Sequence, residues 1–128
     1  MKKIIGALFI LLLLSLCACS ASVPVSSSLK SGTYIIETQA DSIPSSYIIL
    51  DADNNSFVFV HSILSGYVPT GNYEIKNDKL LLSTVSTERY IFDINDGNLT
   101  YNQTDSTKPP GFSVGEIYDG AVFVYSEQ

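Results

Sequence analysis

Four groups of residues in this chain have side chains able to do chemistry. Cys17 and Cys19 are its only thiols, His61 is its only imidazole, and Ser113 sits in Gly111-Phe112-Ser113-Val114-Gly115. The fourth group is Asp51-Ala52-Asp53-Asn54-Asn55, which offers side-chain oxygens at positions one, three and five of a loop. Spacing of the G-x-S-x-G type activates a serine only where a strand turns sharply into a helix. Here the serine follows Lys108-Pro109-Pro110, and His61 precedes it, the reverse of the order in hydrolases of that fold. A surface hydrolase using Ser113 is therefore the minor alternative. A calcium loop needs glycine at its sixth position and a bidentate glutamate at its twelfth. Ser56 and Ser62 stand there instead, so the segment reads as a hairpin turn. A single histidine at a strand end, with no second one to share a metal, predicts a surface or hydrogen-bonded residue. No carboxylate pair can be placed face to face from the sequence, so no glycosidase chemistry is expected. The motifs assign no catalytic residue and call for no metal or cofactor.

The cysteines differ in setting. Lys2 and Lys3 precede an apolar run from Ile4 to Leu16, thirteen residues long, which suits the core of a signal peptide and falls short of the ~20 residues of a membrane-spanning helix. Leu16-Cys17-Ala18-Cys19 resembles the bacterial lipobox, with an aliphatic residue three before the modified cysteine and a small one just before it. Cys19 fits that pattern. Cys17 would need a small residue where Leu16 stands, and belongs to the discarded leader. The resemblance implies cleavage after residue 18 and acylation of Cys19 by diacylglycerol, with palmitate-type chains. Two or more such chains, at about 0.8 kcal/mol per buried CH₂, hold a protein stably on a bilayer. Residues 1–18 are thus read as a lipoprotein signal peptide and 19–30 as the lipidated cysteine and a flexible tether rich in Ser, Val and Ala. Residues 31–128 are read as a single domain with no internal disulfide.

Charge narrows the range of partners. The chain has 7 basic and 13 acidic residues; without Lys2 and Lys3 five basic ones remain, and the net charge moves from −6 to −8. That balance argues against nucleic acid and against electrostatic attachment to anionic lipid, both of which need clustered Lys and Arg. Contact with the membrane falls to the lipid on Cys19.

Eight short apolar or aromatic runs follow one another, at Thr33 to Thr38, Tyr47 to Asp51, Ser56 to Ser62, Asn72 to Lys76, Lys79 to Ser83, Arg89 to Ile94, Leu99 to Gln103 and Ala121 to Tyr125. Turn residues such as Asn77-Asp78 and Asn95-Asp96-Gly97-Asn98 separate them, which predicts antiparallel neighbours. A turn of helix is allowed only within Ser62 to Val68. Eight such strands predict an all-β, eight-stranded antiparallel up-and-down meander closed into a small lipocalin-like barrel, with a two-sheet sandwich as the alternative. The period-two phase assigns Tyr73, Ile75, Leu80, Leu82, Tyr90, Phe92, Ile94, Leu99 and Tyr101 to the interior. Aromatic and aliphatic content adds Tyr34, Ile36, Ile48, Leu50, Phe57, Phe59 and Phe123.

The first three strands and the last are apolar on both faces. Closure makes them contiguous, so that Ile35, Ile49, Val58, Val60, Val122 and Val124 gather on one outer face. That face is expected to be covered by residues 103–119 or by a protein partner, the competing explanation being the ordinary strand preference of β-branched residues. The stretch 104–119 centres on Pro109-Pro110-Gly111 and must run over the surface or cap an opening. Tyr67, Val68 and Phe112 are the candidate residues for a small apolar ligand at the barrel mouth.

Within residues 61–101, the order Gly-Tyr, Gly-x-Tyr-x-Ile, Asp-Lys-Leu-x-Leu, Tyr-x-Phe-x-Ile and Gly-x-Leu-x-Tyr resembles a recurrent domain of small lipoproteins in Gram-positive bacteria. A similar pattern occurs as an extracellular tail on membrane metallopeptidases of the antibiotic-sensing type. The chain has no His-Glu-x-x-His, so no peptidase role carries over. The expectation is a non-enzymatic, lipid-anchored module on the outer face of the cell membrane that binds a protein partner or a small apolar ligand. A structural or immunity-type envelope protein is a further alternative.

Overall fold

The computed structural model describes residues 29–39, 45–108 and 117–127. They form eight strands: β1 (Gly32–Ile36), β2 (Tyr47–Asp51), β3 (Ser56–Val60), β4 (Thr70–Lys76), β5 (Lys79–Thr84), β6 (Arg89–Asn95), β7 (Asn98–Asn102) and β8 (Val122–Ser126). Each pairs antiparallel with its sequence neighbours, and β8 pairs back onto β1 through Thr33↔Ser126 to Ile36↔Phe123, closing an up-and-down barrel. The sandwich alternative is excluded, and closure leaves no strand edge open. Among the described residues the one helical element is a single 3₁₀ turn at Glu37–Gln39, and it ends β1 two residues short of its expected limit at Thr38. Ser62 to Val68 holds turns and no helix.

The short hairpins follow from their turn residues. Asn77 and Asp78 both take positive φ (52° and 55°), as do Asp96 and Gly97 (51° and 82°). This is the conformation whose twist matches that of flanking antiparallel strands, and Asn, Asp and Gly reach it at low cost. The β2–β3 turn is closed by Asp51, whose carboxylate accepts from the backbone N–H groups of Asp53 and Asn54 and from the Asn54 amide at 2.7 Å. That amide, chiefly, holds the Asp51 carboxyl below its usual range. The oxygens that suggested a calcium loop are thus committed to the turn.

Alternation puts one face of every strand inward, and an eight-stranded barrel has an interior just wide enough for side chains to fill. Phe59 stands at its centre, with ring centroids 5.2 Å from Tyr90, 5.7 Å from Phe92 and 6.4 Å from Phe123, all in edge-to-face geometry. These four residues are fully buried. Every residue assigned to the interior from sequence is buried except Tyr73 and Ile75, which are half-buried and pack against the core. Leu29, Ile117 and Ala121 also belong to the core cluster, although no alternating strand contains them.

An up-and-down barrel has two ends of different construction. One carries the short turns at residues 52–55, 77–78 and 96–97, together with the start of β1 and the end of β8. Leu29, Lys30 and Ser31 close this end. The Tyr34 hydroxyl donates to the Lys30 carbonyl at 3.0 Å, the Ala52 N–H donates to Ser31 Oγ at 2.6 Å, and the Lys30 ammonium lies 5.1 Å from the centre of the Tyr125 ring. Tyr125 in turn lies across Gly32, where an added Cβ would stand 2.8 Å from its ring. The opposite end carries the four-residue turn 85–88 and the longer connections 37–46, 61–69 and 103–121.

Candidate functional site

The outer wall was one candidate surface. Strand register aligns Val124, Ile35, Tyr47 and Val60 in one cross-strand row, and Ile49 with Val58 in the next. The six apolar residues therefore do share a wall. They do not form an open patch, because Ile35 and Val60 are buried, Val58, Val122 and Val124 are half-buried, and Ile49 alone is appreciably open, at 38%. Residues 103–108 of the β7–β8 connection lie elsewhere. Thr107 donates its N–H to the Arg89 carbonyl at 2.7 Å, and Ser106 Oγ accepts from the Ile91 N–H at 2.9 Å, so residues 103–108 run along β6.

The long-loop end is built differently. Ile63, Leu64 and Val68 on the β3–β4 loop, Val85 on the β5–β6 turn and Tyr118 on the β7–β8 connection are large apolar residues left exposed, Leu64 at 86% and Val85 at 97%. The turns at the other end are Ala-Asp-Asn-Asn, Asn-Asp and Asp-Gly. Among the described residues, apolar exposure is concentrated at one end of the barrel, and isolated surface leucines do not explain such an asymmetry.

Beneath those tips lies a polar cluster. The Tyr67 hydroxyl donates to the Glu88 carboxylate in a short hydrogen bond, the Thr84 hydroxyl donates to the same oxygen, and the Glu88 N–H donates to Thr84 Oγ1 at 3.2 Å. Tyr90 approaches from inside the barrel. Its hydroxyl is fully buried and has no hydrogen-bond partner among the described residues. Burial, and after it the nearby Glu88 carboxylate, pushes the Tyr90 phenol far above its ordinary range. The hydrogen bond to Glu88 likewise raises the Tyr67 phenol. Thr87, the β-branched residue that precedes Glu88, stands at φ 69°, in the left-handed region that such residues rarely enter.

Tyr67 and Val68, singled out from sequence, thus lie on the long-loop end, Tyr67 half-buried over Glu88 and Val68 42% exposed. Phe112, Ser113 and Cys19 fall outside the described residues. Of the two alternatives for His61 the surface one is excluded: it is 2% exposed, its ring centre lies 6.2 Å from that of Phe59, and its carbonyl accepts from Ser46 Oγ at 2.7 Å. Ser46 and Ser62 are buried beside it because the β1–β2 and β3–β4 connections meet there, through the bond from the Ile63 N–H to the Ser45 carbonyl.

Two other concavities carry less. A cleft of about 200 Å³ at the short-turn end is lined by Leu29, Lys30, Tyr34, Asp96 and Tyr125. A shallow depression of about 430 Å³ brings together Asp93, Asp105 and Asp119. Their carboxylates are spoken for, by Lys79, by the Asn102 amide and by the Gln103 N–H respectively. Among the described residues no cluster of His, Cys, Asp and Glu is arranged to hold a metal ion. No described helix is long and apolar enough to cross a membrane. Comparison with family models, with curated proteins and with solved structures gave no match.

Proposed function

We propose that this chain is an extracytoplasmic lipoprotein, held on the outer face of the cell membrane by acylated Cys19, whose barrel is a non-enzymatic module that binds a protein partner. The observation that carries the binding half of this reading is the filled interior. Phe59, Tyr90, Phe92 and Phe123 occupy the volume in which a barrel of this size would hold a small molecule. Recognition then falls to the outer surface, where protein partners dock. The leader, the Cys19 context and the cysteine-free body support the anchoring half.

The two halves fit one geometry. Leu29 enters the barrel at the short-turn end, so a tether from Cys19 holds that end nearer the bilayer and leaves the long loops facing outward. Nine residues separate Cys19 from Leu29. Intact-mass analysis of the native product tests the anchor. A chain beginning at Cys19 and carrying a diacylglycerol is expected, with Cys19→Ala moving the protein out of the membrane fraction. An unmodified Cys19, or a retained leader, overturns it.

A further inference from the structure

We infer that the long-loop end is the docking surface, and that its occupant is an extracytoplasmic protein presenting a lysine or arginine within an apolar patch. Glu88 receives the cation, and Leu64, Val68 and Val85 grip the surface around it. This rests on the reading of the barrel as a protein-binding module and names that partner's chemistry.

Two independent features meet at this spot. Leu64, Val68 and Val85 are exposed at 86%, 42% and 97%, on two connections tied together by the bond from Tyr67 to Glu88. Glu88 accepts only from neutral hydroxyls and makes no ion pair among the described residues. Behind it, the fully buried Tyr90 ring closes the barrel interior beneath the carboxylate. A carboxylate in an apolar collar is an arrangement that a basic side chain completes, since a charge-assisted hydrogen bond strengthens when its surroundings exclude water.

Charge decides among the possible occupants. Beyond the leader the chain has five basic residues against 13 acidic ones. A second copy would bring the same excess of negative charge, and an anionic bilayer would repel it. A basic partner would be drawn in and held in register.

The test places a photoreactive benzophenone side chain at Leu64 or Val85 of the full chain in native cells, with Ile49 on the wall and Asn54 and Asn77 at the short-turn end as comparison positions. The same protein adduct is expected from Leu64 and Val85, mapping next to a Lys or Arg of the partner, and weakened roughly tenfold or more by Glu88→Gln. Glu88→Gln keeps an acceptor for Tyr67, and circular dichroism verifies that the barrel is retained. Adducts insensitive to Glu88→Gln, adducts with a second copy of the chain, or adducts with lipid alone overturn the inference. A protein adduct from Ile49 only overturns this surface and leaves the binding-module reading standing. Protein adducts from none of the positions overturn both.

Discussion

The Tyr67 hydroxyl donates to the Glu88 carboxylate across 21 positions of sequence, fastening the β3–β4 loop to the β5–β6 turn. Thr84 supplies a second donor to the same oxygen. Tyr67→Phe should therefore loosen the loop without unfolding the barrel, at a cost of about 0.5–1.5 kcal/mol. Hydrogen exchange gives the readout. Amides of residues 63–67 should exchange faster in Tyr67→Phe, while those of β5 and β6 stay protected; unchanged loop protection would show that the bond holds nothing.

Five tyrosines give the barrel a characteristic alkaline response. Burial is the leading reason that the phenols of Tyr34, Tyr73, Tyr90 and Tyr101 are raised, and the Glu88 hydrogen bond is the leading reason for Tyr67. In the unfolded chain these phenols ionise near pH 10, whereas in the barrel they keep their protons to higher pH. Above pH ~10 the unfolded state binds fewer protons, so stability falls as pH rises through the elevated native values and is unaffected by these groups below about pH 9. Tyr90→Phe removes a buried hydroxyl that has no hydrogen-bond partner among the described residues, and should be neutral or stabilising by up to about 1 kcal/mol at pH 8. It should also flatten the decline between pH 10 and 12. Urea unfolding at pH 8 and pH 11 measures both effects, and a loss of more than about 1 kcal/mol at pH 8 would contradict the first.

Two backbone positions should respond in opposite directions. An added Cβ at Gly71 would stand 2.1 Å from the Ser83 carbonyl oxygen, so Gly71→Ala must push β4 and β5 apart, at a cost of about 1–3 kcal/mol or more. Thr87, at φ 69°, should gain about 0.5–1 kcal/mol on replacement by Gly. Thermal unfolding of the two variants should move the midpoint down for Gly71→Ala and up for Thr87→Gly.

The wall of β8, β1, β2 and β3 separates residues that look alike in sequence. Ile35 is buried at 8% exposure, and Ile49, two residues along the same wall, is open at 38%. Ile35→Lys should cost about 3 kcal/mol or more, because it places a charge where water is excluded. Ile49→Lys should stay within about 0.5 kcal/mol of the parent. Equal effects at the two positions would mean that the burial of Ile35 does not stabilise the fold.

The barrel was legible because its strands are half-buried. In β4, β6 and β7 one face meets water, so the polar residues mark the phase and the apolar ones mark the interior. Asn77-Asp78 and Asp96-Gly97 made the hairpins legible through the conformations those residues tolerate. Leu29 and Ile117 escaped because each enters the core from a connection, where no alternation marks the inward side. His61 escaped for the same reason, its burial depending on the meeting of two connections. The cluster at Glu88 was half legible. Tyr67 and Val68 stood out by composition, but nothing in the neighbourhood of Glu88 announces a tyrosine 21 positions away that reaches it only when the barrel closes.

The pairing of Thr33 with Ser126 brings the first and the last strand of the barrel side by side at the short-turn end. A fluorescent or affinity tag inserted behind β8 would emerge there, away from Leu64 and Val85. The same adjacency makes the fold a natural subject for circular permutation. A brief linker from the end of β8 to the start of β1, with new termini cut between Asn77 and Asp78, would rearrange the order of synthesis while every strand kept both of its neighbours.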